Sequence, residues 1–271
     1  MQDLASLPAS VAAAVQIVLT DIDDTLTTEG RLPAEAYHAL ERLDAAGIQV
    51  IPITGRPAGW CDHIARMWPV RAVVGENGAF YYAYDRAARR MKSHYWADAQ
   101  TRAANREQLN AIRDQVLREV PGTAVASDQD YRVADLAIDF CEDVPALPDE
   151  AISRIVSIFE AAGAQAKVSS IHVNGWFGDY NKLSMTRTLF ERELDLNIDQ
   201  VLSDCLFIGD SPNDEPMFQF FPISVGVANI QALLHRLTHQ PAYVASRHGG
   251  GGFVEMAERL LQAREAQGQQ A

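Results

Sequence analysis

The chain has 271 residues, 48% hydrophobic and 22% charged, the composition of an ordinary globular protein with room for one or two domains. Its 23 basic residues against 36 acidic ones leave a net charge of −13 with no basic run or stripe, which argues against nucleic acid and anionic membrane as partners. Three scattered cysteines, Cys61, Cys141 and Cys205, show no metal-ligand spacing and read as reduced thiols of a cytoplasmic protein; no run is long and apolar enough to span a membrane, and no feature specifies an oligomer.

The apolar run Val15–Thr20 predicts a buried central strand. The stretch from Val11 to Leu19 resembles a signal core only superficially: it lacks a preceding basic region and carries Gln16, so it is assigned to that first strand. Pro33, the apolar positions Ala36, Tyr37, Leu40 and Leu43, and Gly47 frame a helix. A second strand (48–53), a helix (60–67) and a third strand (72–74) follow, a βαβαβ half of a parallel sheet.

From about Tyr84 the pattern changes. A polar helix (98–120), strand-like runs at 123–126 and 132–140, a helix (148–162) and a second strand pair (166–168 and 170–177) predict a small α+β module with a mainly antiparallel sheet. The parallel pattern then resumes with a helix (182–194), strands at 205–208 and 223–227, and a last helix (253–263). The run His248–Gly252 reads as a flexible lead-in to that helix, because a phosphate-binding P-loop would need a following Lys-Ser/Thr. The tail 264–271 is expected to fray. The expected fold class is α/β: a Rossmann-like doubly wound parallel sheet built from 1–83 and 180–271, with residues 84–179 inserted as a separate α+β domain.

Asp21, Asp23 and Asp24 place three carboxylates within four positions at the end of a buried strand. Clustered anions there repel and lose hydration unless a cation offsets them, and carboxylate oxygens select hard ions such as Mg2+. An acidic helix cap accounts for one of them but not for three. Thr54 after the second strand, Lys182 opening a helix, and Gly209-Asp210-Ser211-Pro212-Asn213-Asp214 after another strand should share the same rim of the sheet.

With these four segments in this order, the chain resembles the haloacid dehalogenase superfamily of phosphohydrolases. The insertion between Thr54 and Lys182 resembles the class IIB cap of Cof-type, sucrose-phosphate and mannosyl-3-phosphoglycerate phosphatases. The resemblance implies a Mg2+-dependent phosphomonoesterase acting on a small phosphorylated metabolite, sugar phosphates above all. It implies Asp21 as the nucleophile that becomes an aspartyl phosphate and Asp23 as general acid and base. Asp21, the backbone carbonyl of Asp23, and Asp210 would hold Mg2+. Asp214 and Asn213 would orient waters or Lys182, while Thr54, the Gly55 N–H and Lys182 would stabilise the phosphoryl oxygens. Asp24 stands where class IIB relatives commonly have glycine.

Strand alternation places His172, Asn174 and Trp176 on one face of the inserted sheet and Ile171, Val173 and Phe177 on the other; Asp135 and Asp139 likewise share a face. That polar face is expected to look down on the catalytic rim and grip the leaving group, against the plain alternative of a solvated sheet face. Arg56 is expected to bind phosphate or a second anion, and Asn77 to touch substrate or the inserted domain, with plain turn chemistry at Asn77-Gly78 as an equal alternative. Trp60, Trp68, Tyr95 and Trp96 default to packing. Two other activities share this chemistry: a phosphotransferase or phosphomutase of the same superfamily, and, with a poorer fit, a receiver-like signalling domain phosphorylated on Asp.

Overall fold

Short β-branched and apolar runs form the strands, and longer stretches with apolar positions three and four apart form the helices that cover them. The computed structural model describes residues 1–269. The strands are β1 (Gln2–Asp3), β2 (Ile17–Thr20), β3 (Gln49–Pro52), β4 (Val73–Gly75), β5 (Phe80–Asp85), β6 (Arg90–Tyr95), β7 (Ala124–Val125), β8 (Leu136–Asp139), β9 (Gln165–Val168), β10 (His172–Trp176), β11 (Cys205–Gly209), β12 (Ser224–Gly226) and β13 (Tyr243–Val244). The α-helices are α1 (Ala9–Ala14), α2 (Ala34–Ala45), α3 (Ala58–Met67), α4 (Ala99–Glu119), α5 (Asp149–Ala161), α6 (Lys182–Leu189), α7 (Glu215–Phe220) and α8 (Gly249–Gly268).

The larger sheet is parallel, in the order β1-β13-β12-β11-β2-β3. A parallel bridge from Ile53 to Val74 carries it on to β4, which pairs antiparallel with β5 and through it with β6. Alternation along the strands feeds two cores. Val18, Val50, Leu206 and Ile208 pack with α1, α2, α3 and α8 on one face, and Ile17, Leu19, Ile51 and Phe207 with α6 and α7 on the other. A second, antiparallel sheet, β7-β8-β10-β9, packs its apolar face on α4 and α5 through Leu136, Ile138, Val173, Ile112 and Phe159. Its sequence lies wholly between β6 and α6.

Several local expectations are corrected. Residues 11–14 belong to helix α1, not to the first strand, which is limited to 17–20. The alanines of 9–14 are strong helix formers, and the helix buries Ala12 and Ala13 in the core that includes α8. The hairpin β5–β6 forms a three-stranded sheet with β4, which the single Ile53–Val74 bridge joins to the larger sheet, so strand pairing continues to Tyr95, past the expected change at residue 84. The run 132–140 is strand only over 136–139, because the Glu76 carboxylate takes the N–H groups of Val133, Ala134 and Asp135 out of any ladder.

The glycine run is no flexible lead-in: Gly249–Gly252 form the first turn of α8. It lies so close to the segment between β2 and α2 that a Cβ on Gly249 would stand 2.5 Å from the Thr27 carbonyl oxygen, and one on Gly250 would stand 2.7 Å from that of Leu26. The expected fraying of 264–271 fails over 264–268, which stays helical; the Arg264 guanidinium anchors it on the carbonyls of Val15 and Ala46 at 2.6 and 2.7 Å. Gln270 and Ala271 lie outside the described residues.

Candidate active site

Parallel strands aim their carboxyl ends at one rim, and the motif residues gather there. Asp21 directly follows β2, Asp210 directly follows β11, and Thr54 stands two residues beyond β3. Lys182 is the first residue of α6, whose start is fixed by a capping box between Asn181 and Ser184. The buried Lys182 Nζ donates to Asp21 Oδ1 at 2.6 Å and to Asp214 Oδ1 at 2.7 Å. Asp214 Oδ2 accepts from the backbone N–H groups of Asp210 and Ser211 at 3.0 and 3.3 Å, which fixes the 210–214 turn around it.

Charge in this cluster is unbalanced, with three buried carboxylates facing one ammonium. Burial pushes Asp21 up to about 8, with Asp214 and Asp23 adding to the rise while Lys182 opposes it. Burial, then Asp21 and Asp214, drive Asp210 well above the ordinary carboxylate value. Against its own burial, Lys182 is held protonated by the same two partners, Asp21 and Asp214. A cation bound among these oxygens would relieve the strain of three like charges.

The donor set fits a hard divalent ion. Asp21, Asp210 and Asp214 each bring one carboxylate oxygen within 4.8 Å of the others. Asp214 already spends both oxygens on Lys182 and the 210–211 backbone, whereas Asp210 Oδ1 is buried without a hydrogen-bond partner. The other Asp210 oxygen accepts from Asn229 Nδ2 at 3.2 Å, a contact that orients the carboxylate.

Opposite this cluster lies a salt-bridge network that spans both sheets. Arg56, whose side chain is 4% exposed, donates from Nε to both Asp23 oxygens at 3.0 Å and from Nη2 to Glu142 at 2.6 Å, and reaches Asp128 at 3.3 Å. Against the opposing effect of burial, His172 and Arg56 hold Glu142 down at about 2, and His172 Nε2 lies 2.9 Å from it. Arg132, fully buried, joins Asp128, Asp135 and the Gly55 carbonyl, the last at 2.8 Å. Asn174 donates to Asp135 at 2.9 Å. Glu76 ties the two sheets together: its carboxylate accepts from the N–H of Ala58 in α3 and from those of residues 133–135.

Most residues singled out in the sequence converge. Asp21, Asp23, Gly55, Arg56, His172, Asn174 and Asn213 line one chamber, and Asn213 donates to Asn77 Oδ1 at 3.3 Å. Asn77 has a left-handed backbone (φ 54°), and its buried Nδ2 faces Gly55 without a partner. Thr54 Oγ1 accepts from the Arg56 N–H at 3.0 Å, which leaves its proton to donate. Trp176 is not brought to the chamber. It stacks on Tyr180 at 5.4 Å and belongs to the apolar core. Asp139 faces its own loop, accepting from the N–H groups of residues 141–143. The polar sheet face is buried against the rim, not solvated.

Arg132, Asp128, Glu142, Ser169, Ser170 and Asn229 were missed. Arg132 was the findable one, a cation three residues before the flagged Asp135. The others carry no motif, four of them in loops and Asn229 in the 3-10 helix Ala228–Arg236, and only tertiary folding brings them here.

Over residues 18–103 the chain matches the family model described as haloacid dehalogenase-like hydrolase, a stretch that holds Asp21, Asp23, Thr54, Arg56 and Asn77. Among solved structures, a protein of Thermoplasma acidophilum superposes with a TM-score of 0.67 at 18% identity, covering 91% of this chain and 98% of its own. The sucrose-phosphatase of Synechocystis, in complex with sucrose and phosphate, gives 0.62 at 19% identity, covering 91% and 98%. A HAD/COF-like hydrolase of Plasmodium vivax gives 0.66 at 16%, covering 94% and 99%. The chain shares the fold of these proteins along nearly its whole length. No curated protein sequence matches it.

Proposed function

We propose that this haloacid dehalogenase-like hydrolase is a Mg2+-dependent phosphatase that cleaves a small phosphorylated metabolite, of the sugar-phosphate class, through an aspartyl phosphate on Asp21. The observation that carries the reading is the buried Lys182 bridging Asp21 and Asp214 beside the unspent oxygen of Asp210. Asp21, Asp210 and the Asp23 backbone carbonyl would hold Mg2+, which when bound supplies Lewis-acid charge to the phosphoryl oxygens.

Asp21 attacks phosphorus in line, forming an O–P bond as the bond to the leaving oxygen breaks. Asp23 protonates that oxygen, then takes a proton from the water that hydrolyses the phosphoenzyme. For this, Asp23 must part from Arg56, which moves over to the incoming anion. Lys182, Thr54 and the Gly55 N–H face the charge that develops on the phosphoryl group. Asp214 and Asn213 hold Lys182 and the 210–214 turn in place, and the free Asn77 Nδ2, with His172 and Asn174, meets the substrate.

The four-stranded unit is read as the cap that gives specificity, with the division near residue 96 on the N-terminal side and near 180 on the other. Among the described residues all three cysteines are free and no helix is long and apolar enough to cross a membrane, and we assign the protein to the cytoplasm on the strength of its unpaired thiols.

The test is phosphate release from a panel of phosphorylated metabolites, with Mg2+ and after chelation, beside Asp21→Asn. Loss of the nucleophile should lower kcat by at least about 10³-fold, and chelation should abolish turnover until Mg2+ is restored. Appreciable activity in Asp21→Asn would place the nucleophile elsewhere and end this reading.

A further inference from the structure

The catalytic chamber is nearly full. Between Asp21, Asn174 and the loop 169–171 there remain about 10 Å3, the room of about one water. Beside it, sharing Asp23 and Arg56 as a common wall, opens a cleft of about 540 Å3. That volume lies within the range of small-molecule sites, roughly 300–1,000 Å3. The mechanism uses none of its remaining lining, which includes Leu32, Trp60, His63, Ile64, Trp68 and Tyr131.

The cleft is built from both sheets' domains. Trp60, His63 and Ile64 recur at helical spacing on one side of α3, and Tyr131 reaches across from the loop before β8. Gly59 permits that approach, since a Cβ there would stand 3.0 Å from the Tyr131 Cβ. Trp60 and Tyr131 remain 43% and 60% exposed, which leaves large ring faces open along the cleft. The Arg56 guanidinium lies 4.4 Å over the Trp60 ring, so the aromatic wall and the phosphate-side cation form one continuous surface.

Position decides what belongs in the cleft. The group that protonates a leaving oxygen must touch it, so the leaving group extends from the Asp23 side of the phosphoryl site. A second cleft of about 200 Å3 also meets Asp23, but it is lined by Asp24, Glu29 and Glu142 and offers no ring to stack on. The aromatic cleft offers stacking faces and few hydrogen-bonding groups beyond His63 and Thr27, too few for a ligand polar on every side.

Building on the phosphatase reading, we propose that the cleft between α3 and Tyr131 is the leaving-group subsite, and that it selects sugar phosphates whose sugar bears a flat aromatic ring. The phosphoryl group meets Asp21, the sugar passes Asp23 and Arg56, and the ring lies among Trp60, Trp68 and Tyr131. A nucleoside 5′-monophosphate and an aryl glycoside 6-phosphate both present this chemistry.

Matched pairs with the same reacting centre test it: adenosine 5′-monophosphate against ribose 5-phosphate, and phenyl glucoside 6-phosphate against glucose 6-phosphate. In at least one pair the ring-bearing ester should have the higher kcat/KM by about ten-fold or more, the scale of one aromatic stacking contact. Which pair shows the preference identifies the ring's source. Trp60→Ala, and separately Tyr131→Ala, should bring that ratio towards one. Equal rates within both pairs, or a ratio untouched by both substitutions, would overturn the proposal. Binding of phosphate-free adenosine and phenyl glucoside, followed by tryptophan fluorescence in wild type and Trp60→Ala, decides the matter independently of turnover. If no ester is hydrolysed yet either compound binds through Trp60, the phosphatase reading falls and the subsite stands; if neither binds, the subsite falls.

Discussion

Arg56 shows how much one side chain can be asked to hold. It is buried and engages three carboxylates, from Asp23 on the core rim and from Asp128 and Glu142 on the cap side. Removing the shared partner of buried charges strands them, so Arg56→Ala should cost on the order of 3 kcal/mol, and Arg56→Lys, which cannot fork, should recover only part of it. Urea melts of the three proteins read this directly, and a change below about 0.5 kcal/mol in Arg56→Ala would mean that the network adds nothing to the fold.

The sequence announced Arg56 through its place in Thr54-Gly55-Arg56, because strand, turn and side chain are neighbours in the chain. Asp128 and Glu142 are 72 and 86 residues away in loops of no particular pattern, and no local rule could pair them with it. Asp24, the departure from glycine, is explained by its backbone: φ is 54°, the left-handed region where glycine is at ease and aspartate is among the side chains that tolerate it best.

At the scale of elements, the periodicity of the parallel half was legible, since buried runs such as 205–209 and 17–20 have one reading when both faces are covered. Edges were not. The outer strand of the hairpin, β6, carries Arg90, Lys92 and His94 and looks polar in sequence. The strand expected over 132–135 is displaced by one acid, Glu76, whose carboxylate collects four backbone N–H groups from α3 and the cap.

That acid makes a pH prediction. Burial, with Asp135 nearby, pushes Glu76 up to about 7, against the pull of Arg132 and the N–H donors. Its folded-state value therefore stands above the unfolded one, so the folded protein binds the proton more tightly. The stabilisation from that proton is complete below about pH 4.5 and is lost as pH rises through about 7. Glu76→Gln cannot titrate, so the stability of wild type relative to the variant should fall by roughly 2–3 kcal/mol between pH 4.5 and 8. Denaturant melts of both proteins across that window check it, and parallel pH profiles would show that folding does not raise the Glu76 pKa.

For the whole molecule, the way the four-stranded unit covers the rim of the larger sheet sets the condition for the proposed turnover. A net charge of −13 repels an anionic substrate, so capture depends on a few buried cations, Lys182 and Arg56 at the rim and Arg132 facing it from the four-stranded unit. The chamber they face has room for about one water and is roofed by residues 169–172 and Asn174. A phosphoryl group therefore reaches Asp21 only if the cap lifts, and the two connections near residues 96 and 180 are where the motion must be absorbed. Gly59 and Tyr131 offer a way to forbid it. An ideal Cβ at 59 falls 3.0 Å from that of Tyr131, slightly inside the ~3.5–4.5 Å Cβ separation of disulfides, and replacing the tyrosine clears the space for a small outward shift. The double variant Gly59→Cys/Tyr131→Cys should hydrolyse its best substrate when reduced and lose nearly all of that activity once oxidised. Reductant should restore the rate, while wild type, which lacks the introduced pair and whose three cysteines are free (Cys61 and Cys205 buried, Cys141 half-buried), should keep its activity through the same treatment. Thiol titration confirms the bridge; full activity in the bridged form would mean that substrate enters with the cap closed, through the aromatic cleft beside Asp23.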